Sequence, residues 1–200
     1  MIRILLADDQ LMFRRALSTY IELTTNFEVV AEASDADQAL HSIRHTQPDV
    51  ALLDIHMPGD GLMVAQEVAR WGAKTRVIMC TTFDRPGYVL RAWQIGCAGF
   101  VTKDKEPSAL ISVIRRVAAG ERVFDPQLLQ EARTWGANPL TARERDVLRA
   151  SADGVAVRQI AARLFLSNGT IRNHLSSAIG KTGASSRAQA VERARERGWL

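Results

Sequence analysis

Cysteine, histidine and long apolar runs are all scarce in this 200-residue sequence, and each scarcity excludes something. Only two cysteines occur, Cys80 in "VIMCTTF" and Cys97 in "IGCAGF". Both sit in apolar surroundings, which reads as buried thiols and not as a disulfide framework. The four histidines are scattered and share no metal-ligand spacing with them, so no zinc site is expected. No apolar run approaches the roughly 20 residues that a membrane-spanning helix needs, which excludes membrane insertion. The opening "MIRILLADDQ" carries two acids where a secretory signal would place a small-residue cleavage site. The expectation is a cytoplasmic protein. Repeats and low-complexity tracts are absent, and an apolar fraction of 46% is too high for a disordered chain.

Charge is present in both signs but unevenly placed. Residues 1–125 hold 14 Lys and Arg against 16 Asp and Glu, a net of −2, whereas residues 126–200 hold 12 against 6, a net of +6. A slightly acidic front and a basic back suggest two modules, the second suited to a polyanion.

The first 120 residues alternate short apolar runs with segments of helical period. The runs are 2–7, 27–33, 50–54, 76–81 and 99–102; the periodic segments are Met12–Leu23, Ala36–Ile43, Leu62–Trp71, Tyr88–Ile95 and Ala109–Ala119. Gly and Pro punctuate the joins. Five strands alternating with five helices imply a doubly wound α/β fold, a five-stranded parallel sheet covered on both faces. Residues 121–138, with Pro126 and Gly136, read as a linker that is partly helical across 126–135. From residue 139 the pattern is all helical. Thr141 and Glu144 have capping-box spacing, Gly154 reads as the C-terminal cap of that helix, and further helices are expected over 157–165, 167–183 and 186–199.

Ligands of open parallel sheets bind beyond the carboxyl ends of the strands. The residues there are Asp8 and Asp9, Asp54, Thr81 and Lys103. Any one of them alone is as easily a surface acid or ion pair; all five at successive strand ends are not. Three close carboxylates repel, and a hard divalent cation such as Mg²⁺ relieves that repulsion. Asp54 then stands as an oxygen nucleophile, with Mg²⁺ and Lys103 neutralising a phosphoryl group and Thr81 donating a hydrogen bond to it.

Residues 1–120 resemble the receiver domain of two-component signalling, a flavodoxin-like fold. "ADD", "LLDIHMPG", "TTF" and "GFVTKD" match its acid pair, phosphoacceptor, hydroxyl and lysine motifs in order. The resemblance implies Mg²⁺ on Asp8, Asp9, Asp54 and the backbone carbonyl of His56, a phosphoryl group on Asp54, and a switch made of Thr81 and Phe100. Two departures stand out. "MPGDGL" is one residue shorter than the usual spacing from phosphoacceptor to helix-opening glycine, and Asp104 follows Lys103 where many receivers have proline in a cis peptide, a bond that costs about 3 kcal/mol without proline.

In the basic half, "IAARLFLSNGTIRNHL" sets Ile160, Ala161, Leu164, Leu166, Ile171 and Leu175 where two helices of a helix-turn-helix must pack. The opposite face carries Asn168, Thr170, Arg172, Asn173 and Ser176, groups suited to phosphates and base edges. A helical dimerisation unit with a solvated polar face is the plainer alternative. Residues 140–175 resemble the LuxR-type helix-turn-helix, so the chain as a whole is similar to NarL/FixJ-family response regulators, and "TTFDRPGYVLRA", "ANPLT" and "RGWL" are most similar to regulators of membrane fatty-acid desaturases. The resemblance implies a recognition helix over 168–181, with Lys181 and Arg187 on the DNA backbone. It also implies a receiver over 1–120, a linker over 121–138 and a DNA-binding domain over 139–200. "GKTGAS" departs from the family pattern, and fraying of the recognition helix is expected there.

The reading is a regulator and not an enzyme: a sensor histidine kinase phosphorylates Asp54, the protein forms a homodimer through exposed apolar groups on 12–23 and 109–119, and it binds double-stranded DNA at paired half-sites. Two rivals remain open. A phosphohydrolase using Asp54 usually places a second aspartate two residues on, where His56 stands; a receiver that is never phosphorylated is kept open by the shortened loop.

Overall fold

A computed structural model describes residues 1–82, 85–134, 138–152 and 154–200. Phe83 of the "TTF" motif, Trp135 at the end of the expected partial helix and the linker residue Gly136 lie outside the described residues. The chain divides into two compact units, Met1–Asp84 with Val89–Gln130, and Glu131–Leu200 with Arg85–Tyr88.

From residue 3 to residue 118 the chain alternates strand and helix through β1 (Arg3–Ala7), α1 (Leu11–Thr24), β2 (Glu28–Ala33), α2 (Ala36–Thr46), β3 (Val50–Leu53), α3 (Gly61–Arg70), β4 (Arg76–Thr81), α4 (Pro86–Ile95), β5 (Gly99–Thr102) and α5 (Pro107–Ala118). The five strands form one parallel sheet in the order β2-β1-β3-β4-β5. All four residues of β3 are buried, as the continuous apolar run requires for a strand covered on both faces. One face packs Ile4, Leu6, Val50, Leu52, Ile78 and Val101 against Leu17 and Ile21 of α1 and Leu110, Ile114 and Val117 of α5.

That packing corrects one expectation. The large apolar side chains of α5 turn into the core, so among the described residues α1 alone of the two helices offers large exposed apolar groups, Leu11, Met12 and Leu23. The start of the expected linker is also part of the sheet unit. Val123 accepts from the Phe100 N–H at 3.1 Å and donates to the Ala98 carbonyl at 2.7 Å, extending the β5 edge. The partial helix is α6 (Pro126–Thr134).

The second unit contains α7 (Ala142–Ala150), α8 (Val157–Leu164), α9 (Asn168–Thr182) and α10 (Arg187–Glu196). Val147, Leu148, Ile160, Ile171, Leu175, Ala178, Ala190, Val191, Ala194 and Trp199 form its core. The capping box at Thr141 and Glu144 is present on α7, but Gly154 does not cap that helix; the cap is Ser151, and Gly154 closes the turn after it with φ +72°. α9, where fraying is expected, is a continuous helix in this structure. It runs to Thr182, whose hydroxyl donates to the Ala178 carbonyl at 2.9 Å, and Gly183 closes it in the left-handed conformation. No helix among the described residues is long and apolar enough to cross a membrane.

Glycines in the two units answer to different constraints. A Cβ on Gly61, the first residue of α3, would collide with the Asp54 carbonyl oxygen, whereas a Cβ on Gly180 inside α9 meets open space. Gly61→Ala is therefore expected to lower the free energy of unfolding by about 2 kcal/mol or more, and Gly180→Ala to raise it by roughly 0.5–1 kcal/mol through helix propensity. Urea denaturation of the two variants measures both signs.

Candidate functional site

Each of the strand ends predicted to meet does so. Ala7 is in register with Leu53, Leu53 with Met79, and Thr81 with Thr102, so the residues that follow share one edge. The backbone fixes them there: Asp54 donates its N–H to the Ala7 carbonyl at 2.8 Å, Lys103 to the Thr81 carbonyl at 2.8 Å, and Asp8 to the Ala33 carbonyl at 3.0 Å. Asp8, Asp54 and Thr81 are buried and Asp9 is exposed. Carboxylate oxygens of Asp8, Asp9 and Asp54 lie within 4.8 Å of one another. The Lys103 ammonium, almost fully enclosed, lies 2.6 Å from Asp8 Oδ2 and 3.4 Å from Asp54 Oδ2, and 4.7 Å from the centre of the Phe13 ring. Lys103 therefore pairs with both buried carboxylates, more closely with Asp8.

Burial pushes the Asp54 carboxyl above its ordinary pKa, and the negative charge of Asp8 adds to the effect; Lys103 and His56 act against it without cancelling it. Asp54 Oδ1 is buried and has no hydrogen-bond partner among the described residues. An unpartnered acceptor among three carboxylates fits a hard divalent cation, and receiver domains generally bind Mg²⁺ in such an acidic pocket. Cys80 on β4 and Cys97 are buried thiols, as their sequence contexts predicted, and burial pushes each up to about 12.

The short loop after Asp54 is accommodated by backbone conformation. Gly59 and Asp60 both have positive φ, Asp60 Oδ1 accepts from the Leu62 N–H at 2.9 Å as the cap of α3, and Gly61 donates to the Ile55 carbonyl at 3.1 Å. The His56 side chain is exposed, as expected. The Lys103–Asp104 peptide is trans, which resolves the cis question raised by the missing proline. Phe100 is buried in β5, its ring 6.5 Å from that of Phe124, which meets Trp93 edge-on at 5.1 Å. Sequence reasoning missed Phe124 and also Arg14, whose guanidinium donates to the Asp8 carbonyl and, at 3.0 Å, to Glu32 Oε2. A buried arginine on an otherwise apolar helical face was the available signal.

In the helical unit, α8, the turn and α9 form the helix-turn-helix. Asn168, Arg172, Asn173 and Ser176 are exposed on α9 opposite Ile171, Leu175 and Ala178. Thr170 is half-buried and its hydroxyl lies 2.8 Å from that of the capping Ser167. Lys181 and Arg187 have partners inside the domain: Lys181 contacts Glu144 at 2.8 Å, and Arg187 donates to the Val155 carbonyl at 2.8 Å. Glu144 is the hidden tie of this unit. It is buried, it closes the capping box of α7, and it accepts from Ser177 at 2.6 Å and Lys181 on α9. Burial would raise its pKa, but Lys181, Ser177 and Thr141 together hold it down to about 2.

Comparison with known proteins agrees with both halves. Residues 4–115 match the model of the response regulator receiver domain, and residues 138–194 that of bacterial regulatory proteins of the luxR family. The chain belongs to the NarL/FixJ-type response regulators, transcription regulators that join a receiver to a LuxR-type DNA-binding domain. It is 41% identical to the transcriptional regulatory protein YvfU of Bacillus subtilis and 39% identical to DesR of the same organism, each over 100% of both chains. Among solved structures it is similar to the response regulator ChrA of a heme-sensing two-component system, at 32% identity and a TM-score of 0.58, covering 100% of this chain and 98% of that one.

Two buried acids give opposite expectations. Ionised Asp54 costs stability at neutral pH because its folded pKa is raised, so Asp54→Asn is expected to raise the Tm at pH 7 in chelator, the gain shrinking as pH falls through the folded pKa. The same variant is expected to lose most of any Mg²⁺-dependent rise in Tm. Glu144 has a depressed pKa, so its contribution is present above the ordinary glutamate range and is lost as pH falls toward about 2. Glu144→Gln is expected to cost on the order of 2–3 kcal/mol at pH 6 and progressively less toward pH 2.5, read by urea unfolding across that range.

Proposed function

We propose that this protein is switched by phosphorylation of Asp54 and, once phosphorylated, dimerises and binds operator DNA through α9. On this reading residues 1–120 are the receiver, 121–138 the linker and 139–200 the DNA-binding domain. The observation that carries it is Asp54 Oδ1: buried, without a hydrogen-bond partner among the described residues, at a strand end and on a carboxylate whose other oxygen faces the Lys103 ammonium. A carboxylate oxygen so placed is a poor structural element and a good nucleophile.

Asp54 Oδ1 attacks the phosphorus of a phosphohistidine on the partner kinase; the new P–O bond forms as the P–N bond breaks, and the leaving imidazole takes up a proton. Lys103 neutralises charge on the phosphoryl oxygens and Thr81 donates to one of them. Asp8, Asp9, Asp54 and the backbone carbonyl of His56 would hold Mg²⁺, which when bound screens the converging negative charges. The added charge of roughly −2 draws Thr81 inward and biases the packing of Phe100. The Phe100 ring faces Phe124 in the segment leading out of the receiver, which supports a route from the pocket to the second domain. Leu11, Met12 and Leu23 on α1 are the apolar groups available for the homodimer. On DNA, Arg172 and Asn173 read base edges, Asn168, Thr170 and Ser176 line the same face, and Lys181 and Arg187 contact phosphates once their internal partners are shared. The reading is of a cytoplasmic transcription factor and not a turnover enzyme.

Acetyl phosphate with Mg²⁺ is expected to produce a Phos-tag mobility shift that Asp54→Asn abolishes and chelator prevents; a wild-type chain that never shifts overturns the phosphorylation switch. The shifted protein is expected to sediment as a dimer. Arg172→Ala is expected to weaken binding to a selected duplex by about 1–3 kcal/mol and relax one base position, as read by footprinting.

A further inference from the structure

The turn between α8 and α9 holds an arrangement that the recognition helix itself does not explain. Phe165 caps α8 in the left-handed conformation, with φ 55° and ψ 44°, and 95% of its surface is exposed. Its neighbours Leu164 and Leu166 both turn onto the core of the unit, so Phe165 alone faces outward. The left-handed position is fixed by two N–H groups, those of Phe165 and Leu166, which both donate to the Ala161 carbonyl. Gly or Asn would make the same two bonds without a Cβ penalty, and such turns often contain Gly. A bulky aromatic at positive φ is a conformational outlier, and a fully exposed ring gains nothing from burial. Two separate costs therefore meet in one side chain that contributes nothing to the folded unit.

Position supplies the missing benefit. In a helix-turn-helix the second helix enters the major groove while the first crosses the backbone, so the turn between them lies over the lip of the groove. Phe165 stands two residues before the Ser167 cap of α9, flanked by the exposed Arg163 and the exposed Asn168. We propose that Phe165 packs its ring against the deoxyribose of the duplex backbone at the groove edge, an apolar contact that sets the depth and angle at which α9 enters. The proposal rests on the reading of α9 as the recognition helix. Because a sugar carries no sequence information and no charge, the contact adds affinity on any sequence without releasing a counterion.

The full-length protein is tested on a duplex selected by the wild type from a random-sequence pool and on a scrambled duplex. Phe165→Asn is expected to melt no lower than the wild type, since Asn tolerates the left-handed conformation, and to bind both duplexes about tenfold more weakly. The slope of log Kd against log salt is expected to stay unchanged. Phe165→Leu, which keeps apolar bulk, is expected to stay within about threefold of the wild type. Unchanged affinity of Phe165→Asn overturns the contact. So does a loss confined to the selected duplex, which marks a base contact, and so does a lowered Tm or altered sedimentation without DNA, which marks packing on protein. A wild type that selects no duplex overturns the recognition-helix reading together with the contact, whereas a wild type that binds and an indifferent Phe165→Asn overturn the contact alone.

Discussion

The carboxyl edge of the parallel sheet depends on a charge imbalance that the fold does not relieve. Asp8 and Asp54 are buried side by side with one ammonium, that of Lys103, between them. Two negative charges and one positive charge in a site of low dielectric leave a deficit; burial above all, with the charge of Asp8 added, raises the pKa of Asp54, and among the described residues its Oδ1 has no hydrogen-bond partner. Much of the first unit serves to hold this deficit in place. The strand register aligns the ends, backbone bonds fix Asp8, Asp54 and Lys103, Arg14 pins the Asp8 carbonyl, and Gly61 lets α3 begin against the Asp54 carbonyl. A site held this firmly while remaining electrostatically incomplete is poised to gain from a cation or a phosphoryl group.

Glu144 in the second unit shows what a completed buried acid looks like. It is as little exposed as Asp54 but less deeply set, it accepts from a hydroxyl, an ammonium and a backbone N–H, and its pKa moves the opposite way. Both side chains are shielded from solvent, but Asp54 lies deeper and carries the larger burial penalty, while Glu144 has more donors; the two differences act in the same direction. Glu144 locks α7 to α9 and so fixes the helix that presents Arg172 and Asn173. The same balance explains why α9 survives its two glycines: Lys181 and Ser177 are tied to Glu144, and Thr182 and Gly183 close the C-terminus.

Most of the architecture was legible from the sequence. The five runs end within a residue or so of the observed strands; β3 and β5 are buried throughout and need an unbroken apolar run, whereas the edge strand β2 is mostly half-buried and carries Glu28 and Glu32. The five site residues followed from those stops. What stayed illegible depended on contacts distant in sequence. Gly154 carries a helix-cap signature, but the helix ended earlier at Ser151. The apolar period of α5 did not reveal which way its side chains face, and the segment from residue 121 reads as linker although Val123 joins the β5 edge. Lys181 looked free for DNA, and its tie to Glu144 spans 37 positions.

The sequence by itself determined the order of elements, the two-module division and the identity of the acids, hydroxyl and lysine at the strand ends. Each is a local property, set by apolar period, punctuation and charge within a few residues. Only the tertiary structure decided which acid is left incomplete and which is satisfied, because depth of burial and the donors that arrive are both set by other elements. It also decided that Phe165, one apolar residue among three in "LFL", faces outward while its neighbours turn inward, since a left-handed residue reverses the chain at that point alone.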